Sequence, residues 1–260
     1  MNPDLNNWLQ LVFRWAHVIA GITWIGHLYF FNWVNGPFQG KLDGPTKKIV
    51  NPELLPRALF WFRWGAAWTW ITGILLGGLV YYQSKIVFED PNNGNPWLWL
   101  AIVLVVLAVG FVIYNGVMKA IANKVVGATI SLIVFVIAYL FLEYVGKFSG
   151  RALYLHMGMI FGTMMALNVW MIIWPYQQRI IRATKEGTAA DPKEVAIAGL
   201  RSRHNTFMSV PLVFAMISNH YPTVYGQPPL IRDVILAVII AVGFIATKML
   251  YNKAPKVQGF

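Results

Sequence analysis

RWAHVIAGITWIGHLYF, residues 14–30, is apolar enough to lie in lipid, yet it carries Arg14 and two histidines, His17 and His27, ten residues apart. Ionisable side chains inside a membrane-length segment are costly, and where they occur they brace a neighbouring helix, relay protons or hold a cofactor. The rest of the 260-residue chain has the same apolar character: 57% apolar and 12% charged residues, the composition of a polytopic membrane protein rather than a soluble domain. Apolar runs long enough to cross a bilayer as helix, about 20 residues, are read at 7–34, 58–82, 97–118, 125–145, 151–174, 203–221 and 230–250. The expected fold class is therefore all-α, a single integral membrane helical bundle of about seven spans over residues 1–260. Segments 35–57 and 175–202 are expected as the extended aqueous connections, the second with room for a short amphipathic surface helix. The first span has neither a basic start nor a small-residue cleavage site, so it is expected to be retained as a membrane helix.

The formal charge is +11, but no basic helix or arginine-rich arm appears, so the excess reads as topology-setting loop charge and not as a nucleic-acid surface. With seven spans, fifteen Lys and Arg fall on one side, four on the other, and Arg14 and Arg63 within spans. That asymmetry predicts an outside N-terminus and an inside C-terminus. The chain has no cysteine, which excludes disulfides, thiolate metal sites and a covalently attached c-type haem. A redox centre would need other ligands.

At a rise of about 1.5 Å per helical residue, His17, His156 and His220 lie roughly 24, 27 and 25 Å from the inner boundary, one shared level contributed by three spans. His27 and His204 lie roughly 9 and 2 Å from that boundary, an inner pair. Ten residues carry His27 about 80° around the helix from His17 and about 15 Å below it, so each needs a partner on another helix. Such placement suits b-type haem, held between helices by axial imidazoles. One haem would use two of His17, His156 and His220, and a second would use His27 and His204. The tripeptide FRW occurs at 13–15 and again at 62–64, so Arg14 and Arg63 are candidates to hold the propionates of an outer and an inner haem. Gly21, Gly158 and Gly162 near the ligands would admit a flat macrocycle. Against this stand plainer readings: histidines that brace helices or relay protons, arginines that snorkel, Trp24, Trp68 and Trp70 as packing and interfacial belt, and Glu143 facing water or serving a proton path. Three level imidazoles would also suit copper or zinc.

RWAHVIAGITWIG, ALFWFRWGAAWTWITG, RALYLHMGMIFGTMMALNVWMIIWPYQQ and RSRHNTFMSVPLVFAMISNHYP, in that order, resemble the membrane domain of cytochrome c-dependent urate hydroxylases, the family named for its urate oxidase N-terminal domain. The resemblance covers roughly residues 8–250. It implies a multi-pass protein of a bacterial inner membrane that oxidises urate to 5-hydroxyisourate and sends electrons out through haem to cytochrome c. His17, His156, His204, His220, Arg14, Trp24, Asn168, Asn205 and Asn219 fall in the matching stretches. The chain departs from the family pattern in three ways. No C-terminal cytochrome follows the last span, so a separate redox partner is expected. Gly65 stands where the family carries an acidic residue after the FRW-like motif, and His27 where a small residue is expected. An imidazole gained and a carboxylate lost point toward a second haem.

Two functions follow as expectations. The first is an electron-transfer protein with one or two b haems, a subunit or partner of a respiratory complex that exchanges electrons with cytochrome c, quinone or other membrane or periplasmic redox subunits. The second is a urate hydroxylase in which Arg63, His204 and Asn205 bind the anionic purine. A structural or transport subunit is the remaining class, and no internal repeat or pair of proline-broken spans points to a transporter.

Overall fold

The computed structural model describes residues 2–257; the chain is mostly helical, with turns between the helices, the longest over 83–95, and an isolated antiparallel bridge between Phe88 and Phe148. The helices are α1 (Pro3–Tyr29), α2 (Gly36–Gln39), α3 (Gly44–Gly77), α4 (Pro96–Ala120), α5 (Lys124–Tyr144), α6 (Gly150–Leu167), α7 (Trp174–Glu186), α8 (Pro192–Ser218), α9 (Pro222–Tyr225) and α10 (Pro229–Lys253). Each of the seven expected spans lies mainly on helix, the sixth running past the end of α8 at Ser218. Five helical stretches are long and apolar enough to cross a membrane: Pro3–Gln39, Pro96–Ala120, Lys124–Tyr144, Gly150–Glu186 and Pro229–Lys256. Helices α3 and α8 carry the other two expected spans and fall outside that set. In α3 the membrane-length stretch holds Trp61, Trp64, Trp68 and Trp70, whose indoles count little as apolar, and α8 carries Arg201, Arg203 and His204 along its length.

The expectation of an extended loop over 35–57 is corrected, and 175–202 holds a short helix, for which room was expected. Most of 35–57 is helical, because α3 begins at Gly44 and runs through Pro52 and Pro56. Asp43 starts it by accepting a hydrogen bond on Oδ1 from the Thr46 backbone N–H at 2.8 Å, the N-cap geometry that satisfies an orphan donor of the first turn. The Thr46 hydroxyl and amide, with Lys47 nearby, hold the Asp43 carboxyl below its ordinary range. Most of 175–202 is helical too, in α7 and the start of α8, with Gly187 in the left-handed conformation (φ 73°) closing α7. A left-handed residue after a helix is the position glycine fills without penalty.

Asn95 and Asn123 cap α4 and α5, their side-chain oxygens accepting from Trp97 and Leu98, and from Val125 and Val126. Three helices do not end where α geometry stops: π-helical turns occupy Phe30–Asn35, Gly78–Tyr82 and Asn168–Ile173. Such turns insert one extra residue and often mark functional segments.

The chain forms two compact units, one drawn from Met1–Arg14, Gly73–Met164 and Pro211–Ile239, the other from Trp15–Thr72, Met165–Val210 and Ile240–Phe260. In the first, Tyr82, Phe88, Phe148, Leu153, Tyr154, Met157 and Phe161 are buried, and Phe148 meets the rings of Tyr82, Phe88 and Trp99 at 5.6–6.4 Å. Glu143 of α5 is buried against Arg232 of α10, with which it forms an ion pair. Tyr139 donates to Asp233 at 2.7 Å and Tyr154 to the Arg232 carbonyl at 2.7 Å, so α5, α6 and α10 are tied at one place. Glu143 thus does not face water, and Arg232 is no loop charge. In the second unit α1 and α3 touch at backbone distance: a Cβ built on Gly65 would lie 3.0 Å from Trp24 N and 3.2 Å from Ala20 O. Gly65 therefore stands where a carboxylate was expected because the two helices leave no volume for one.

Substituting Gly65→Val should lower stability by about 1–3 kcal/mol by overpacking this crossing. Gly77→Ala in the same helix, where a new Cβ meets nothing within 4 Å, should be neutral or slightly stabilising. Thermal unfolding in detergent compares the two. Glu143→Ala should cost about 3–5 kcal/mol by stranding a buried guanidinium, and the double change Glu143→Leu with Arg232→Met should recover most of that loss.

Candidate functional site

An imidazole in an apolar bundle must place its N–H on an acceptor, and the choice of nitrogen fixes what the other can do. His27 Nδ1 donates to the Thr23 carbonyl at 2.7 Å, one turn earlier in α1. His156 Nδ1 donates likewise to the Ala152 carbonyl of α6 at 2.7 Å. His17 Nδ1 lies 3.1 Å from Thr72 Oγ1, and the single proton of that hydroxyl is directed at the Trp68 carbonyl, 2.6 Å away. His17 is therefore the donor. All three rings carry the proton on Nδ1 and keep the Nε2 lone pair, the form that ligates iron and the usual anchoring of an axial ligand.

The Nε2 atoms differ in what they meet. That of His156 accepts from the Tyr82 hydroxyl at 2.6 Å, inside a wall where His156 is 1% exposed and the Phe148 ring is 4.9 Å away. Iron there would have to displace Tyr82, a buried partner that nothing in the spacing of the histidines announced. The Nε2 atoms of His17 and His27 have no hydrogen-bond partner among the described residues, and both side chains are half-buried. His204 is half-buried on α8, whereas His220 is exposed in the turn after α8 ends at Ser218, not within a span as expected. His156 and His220 belong to the first unit, and His17, His27 and His204 to the second. Among the described residues no group of three or more His, Asp or Glu is gathered to hold a metal ion, so the copper or zinc alternative has no ligand cluster behind it. The donor chemistry expected for haem fits at His17 and His27, and at His156 only with Tyr82 turned away.

The two arginines are placed differently. Arg14 is exposed on α1. The Arg63 guanidinium lies 4.0 Å over the Trp174 ring and 5.7 Å from the rings of Phe60 and Trp170, and its Nε is buried without a hydrogen-bond partner. Trp170 Nε1 donates to the Arg63 carbonyl at 2.9 Å. An arginine cradled in aromatic faces without a carboxylate keeps its hydrogen-bonding edge for another anion.

The second unit also holds a cavity of about 900 Å³, within the range of small-molecule sites. Its wall comes from the π-turn after α1, from α2, α3, α7 and α8, and from the end of α10. Phe31, Phe62 and Tyr251 give it aromatic faces, while Asn35, Asn51, Gln177, Lys47 and Arg203 supply polar groups. Part of the polar lining is already fixed: Gln39 Nε2 donates to Asn51 Oδ1 at 2.8 Å, Tyr251 donates to Asn32 Oδ1 at 2.8 Å, and Asn32 Nδ2 donates to Ser202 Oγ at 2.8 Å. Amides held in this way present preset donors and acceptors to a ligand's edge. Arg63, His204 and Asn205, the residues expected to meet a purine, do not line this cavity. Asn205 is buried elsewhere, accepting from Asn168 Nδ2 at 2.9 Å and donating to the Met165 carbonyl at 3.0 Å. Asn205 thus joins Asn168, the first residue of the π-turn, to the Met165 carbonyl in the turn before it. The cavity's amides escaped sequence reading because they come from separate helices with no spacing that links them.

No curated protein and no solved structure matches the chain. The family model described as Urate oxidase N-terminal matches residues 3–48 and 38–259, nearly the full length. By that match the chain belongs to the urate oxidase N-terminal family.

Proposed function

We propose that the protein is a membrane oxidoreductase of the urate hydroxylase kind, crossing the membrane about seven times with its N-terminus outside and its C-terminus inside. The observation that carries the reading is the cavity of about 900 Å³ with fixed amides, two cations and aromatic faces. A planar anionic heterocycle bearing several N–H and C=O groups satisfies such a wall: rings stack on Phe31 and Phe62, amides pair with the polar edge, and Lys47 and Arg203 balance the charge. Family membership supports urate as that heterocycle. Hydroxylation of urate by water gives 5-hydroxyisourate and releases two electrons and two protons. The electrons require a one-electron acceptor such as cytochrome c, two molecules per turnover.

The second reading, electron transfer through b haem, is favoured by the Nδ1-anchored histidines. His17 and His27 would offer Nε2 to iron directly, and His156 after release of Tyr82; Arg63 has the free guanidinium edge that a propionate needs. Haem bound there would supply one-electron steps between a donor and the outside acceptor. The chain's own part is to fix the ring tautomers and to keep water from the sites.

A reduced-minus-oxidised spectrum of the purified protein should show the sharp bands of a b haem, diminished in His17→Ala and unchanged in His220→Ala. A featureless trace would remove the haem reading. Urate should be consumed when ferricytochrome c is added, with two equivalents reduced per urate. Asn51→Leu should raise KM by about tenfold or more, the loss expected when one polar edge contact to a buried ligand group is left unmade. Turnover indifferent to Asn51 and Arg203 would exclude the cavity as the substrate site.

A further inference from the structure

Helix α7 has a second use for its basic residues. Trp174, Gln178, Ile181, Arg182 and Lys185 follow the spacing of one helix face and line, with Pro52 and Pro56 of α3, an open groove of about 640 Å³. The groove changes character along its length. At one end lies Trp174, whose ring is 4.0 Å from the Arg63 guanidinium; at the other lie Arg182 and Lys185, neither of which has a carboxylate partner among the described residues. Glu186 is the single acid in the lining. The unit that contains the groove has fourteen Lys and Arg against five Asp and Glu, a surplus of nine out of the chain's eleven positive charges. Nearby on α3, Phe60, Trp61 and Trp64 are exposed, as aromatic side chains are at a membrane interface. Pro52 and Pro56, which lack an N–H, form the α3 side of the groove.

An apolar end with Trp174 joined to a cationic end with Arg182 and Lys185 matches an amphiphile that carries a phosphate. We propose that this groove binds one anionic phospholipid, with phosphatidylglycerol as the probe, its phosphate held by Arg182 and Lys185 and its chains against Trp174 and Ile181. The site is separate from the cavity of the proposed reaction and does not depend on that reading.

The test is native mass spectrometry of the full chain released from bilayers containing equal amounts of dioleoyl phosphatidylglycerol and dioleoyl phosphatidylcholine. The wild type should retain phosphatidylglycerol in preference. At roughly fivefold per basic residue near a headgroup, Arg182→Gln with Lys185→Gln should lower that retention by about 25-fold, whereas Lys253→Gln with Lys256→Gln should leave it unchanged. Thermal unfolding without lipid checks that all variants fold, as expected for exposed side chains. Equal retention of the two lipids, a loss as large in the Lys253 and Lys256 variant, or thermal stabilisation by inorganic phosphate equal to that by phosphatidylglycerol would each overturn the proposal, the last by assigning the site to free phosphate.

Discussion

Each histidine anchored to a carbonyl of the preceding turn solves one problem and creates one opportunity. A ring N–H buried among Leu, Met and Phe without an acceptor would cost a few kcal/mol. The helix supplies a carbonyl four residues back for His27 and His156, and Thr72 supplies an oxygen for His17. Satisfying Nδ1 leaves Nε2 as a base with a fixed direction. All the chemistry available to these side chains, whether hydrogen bonding to Tyr82, ligation or proton acceptance, follows from that one commitment.

The same logic of displaced hydrogen bonds governs the rest of the polar interior. Asn205 donates to the Met165 carbonyl beside the π-turn at Asn168. Each proline removes a helical donor, and α3 contains two in its first half. The amide-rich cavity sits among such segments, with the π-turn Phe30–Asn35 in its wall.

Much of the architecture was legible because its causes are local. Apolar runs of membrane length and the turn residues between them place every long helix, and the order of four stretches around His17, Arg63, His156 and His204 carries the family. What could not be read is long-range or stereochemical. Helical spacing assigns depth to His220 but cannot tell that α8 stops two residues earlier. Arg232 looks like a connecting charge until α5 places Glu143 against it. Tyr82 and His156 are 74 residues apart, and no period links them. Segment 35–57 lacks an apolar run of membrane length and so reads as a connection, whereas Asp43 starts a helix there that carries through Pro52 and Pro56.

The π-turn at Asn168–Ile173 also alters how the long helix that contains it can be compared with any relative. Within α7, which follows the turn, side chains are out of phase by about one residue, roughly 100°, with an unbroken α repeat. A homologue shorter by one residue in this stretch would regain plain α geometry and swing the basic edge of α7 onto a different side, so length at this point acts as an orientation setting for everything downstream.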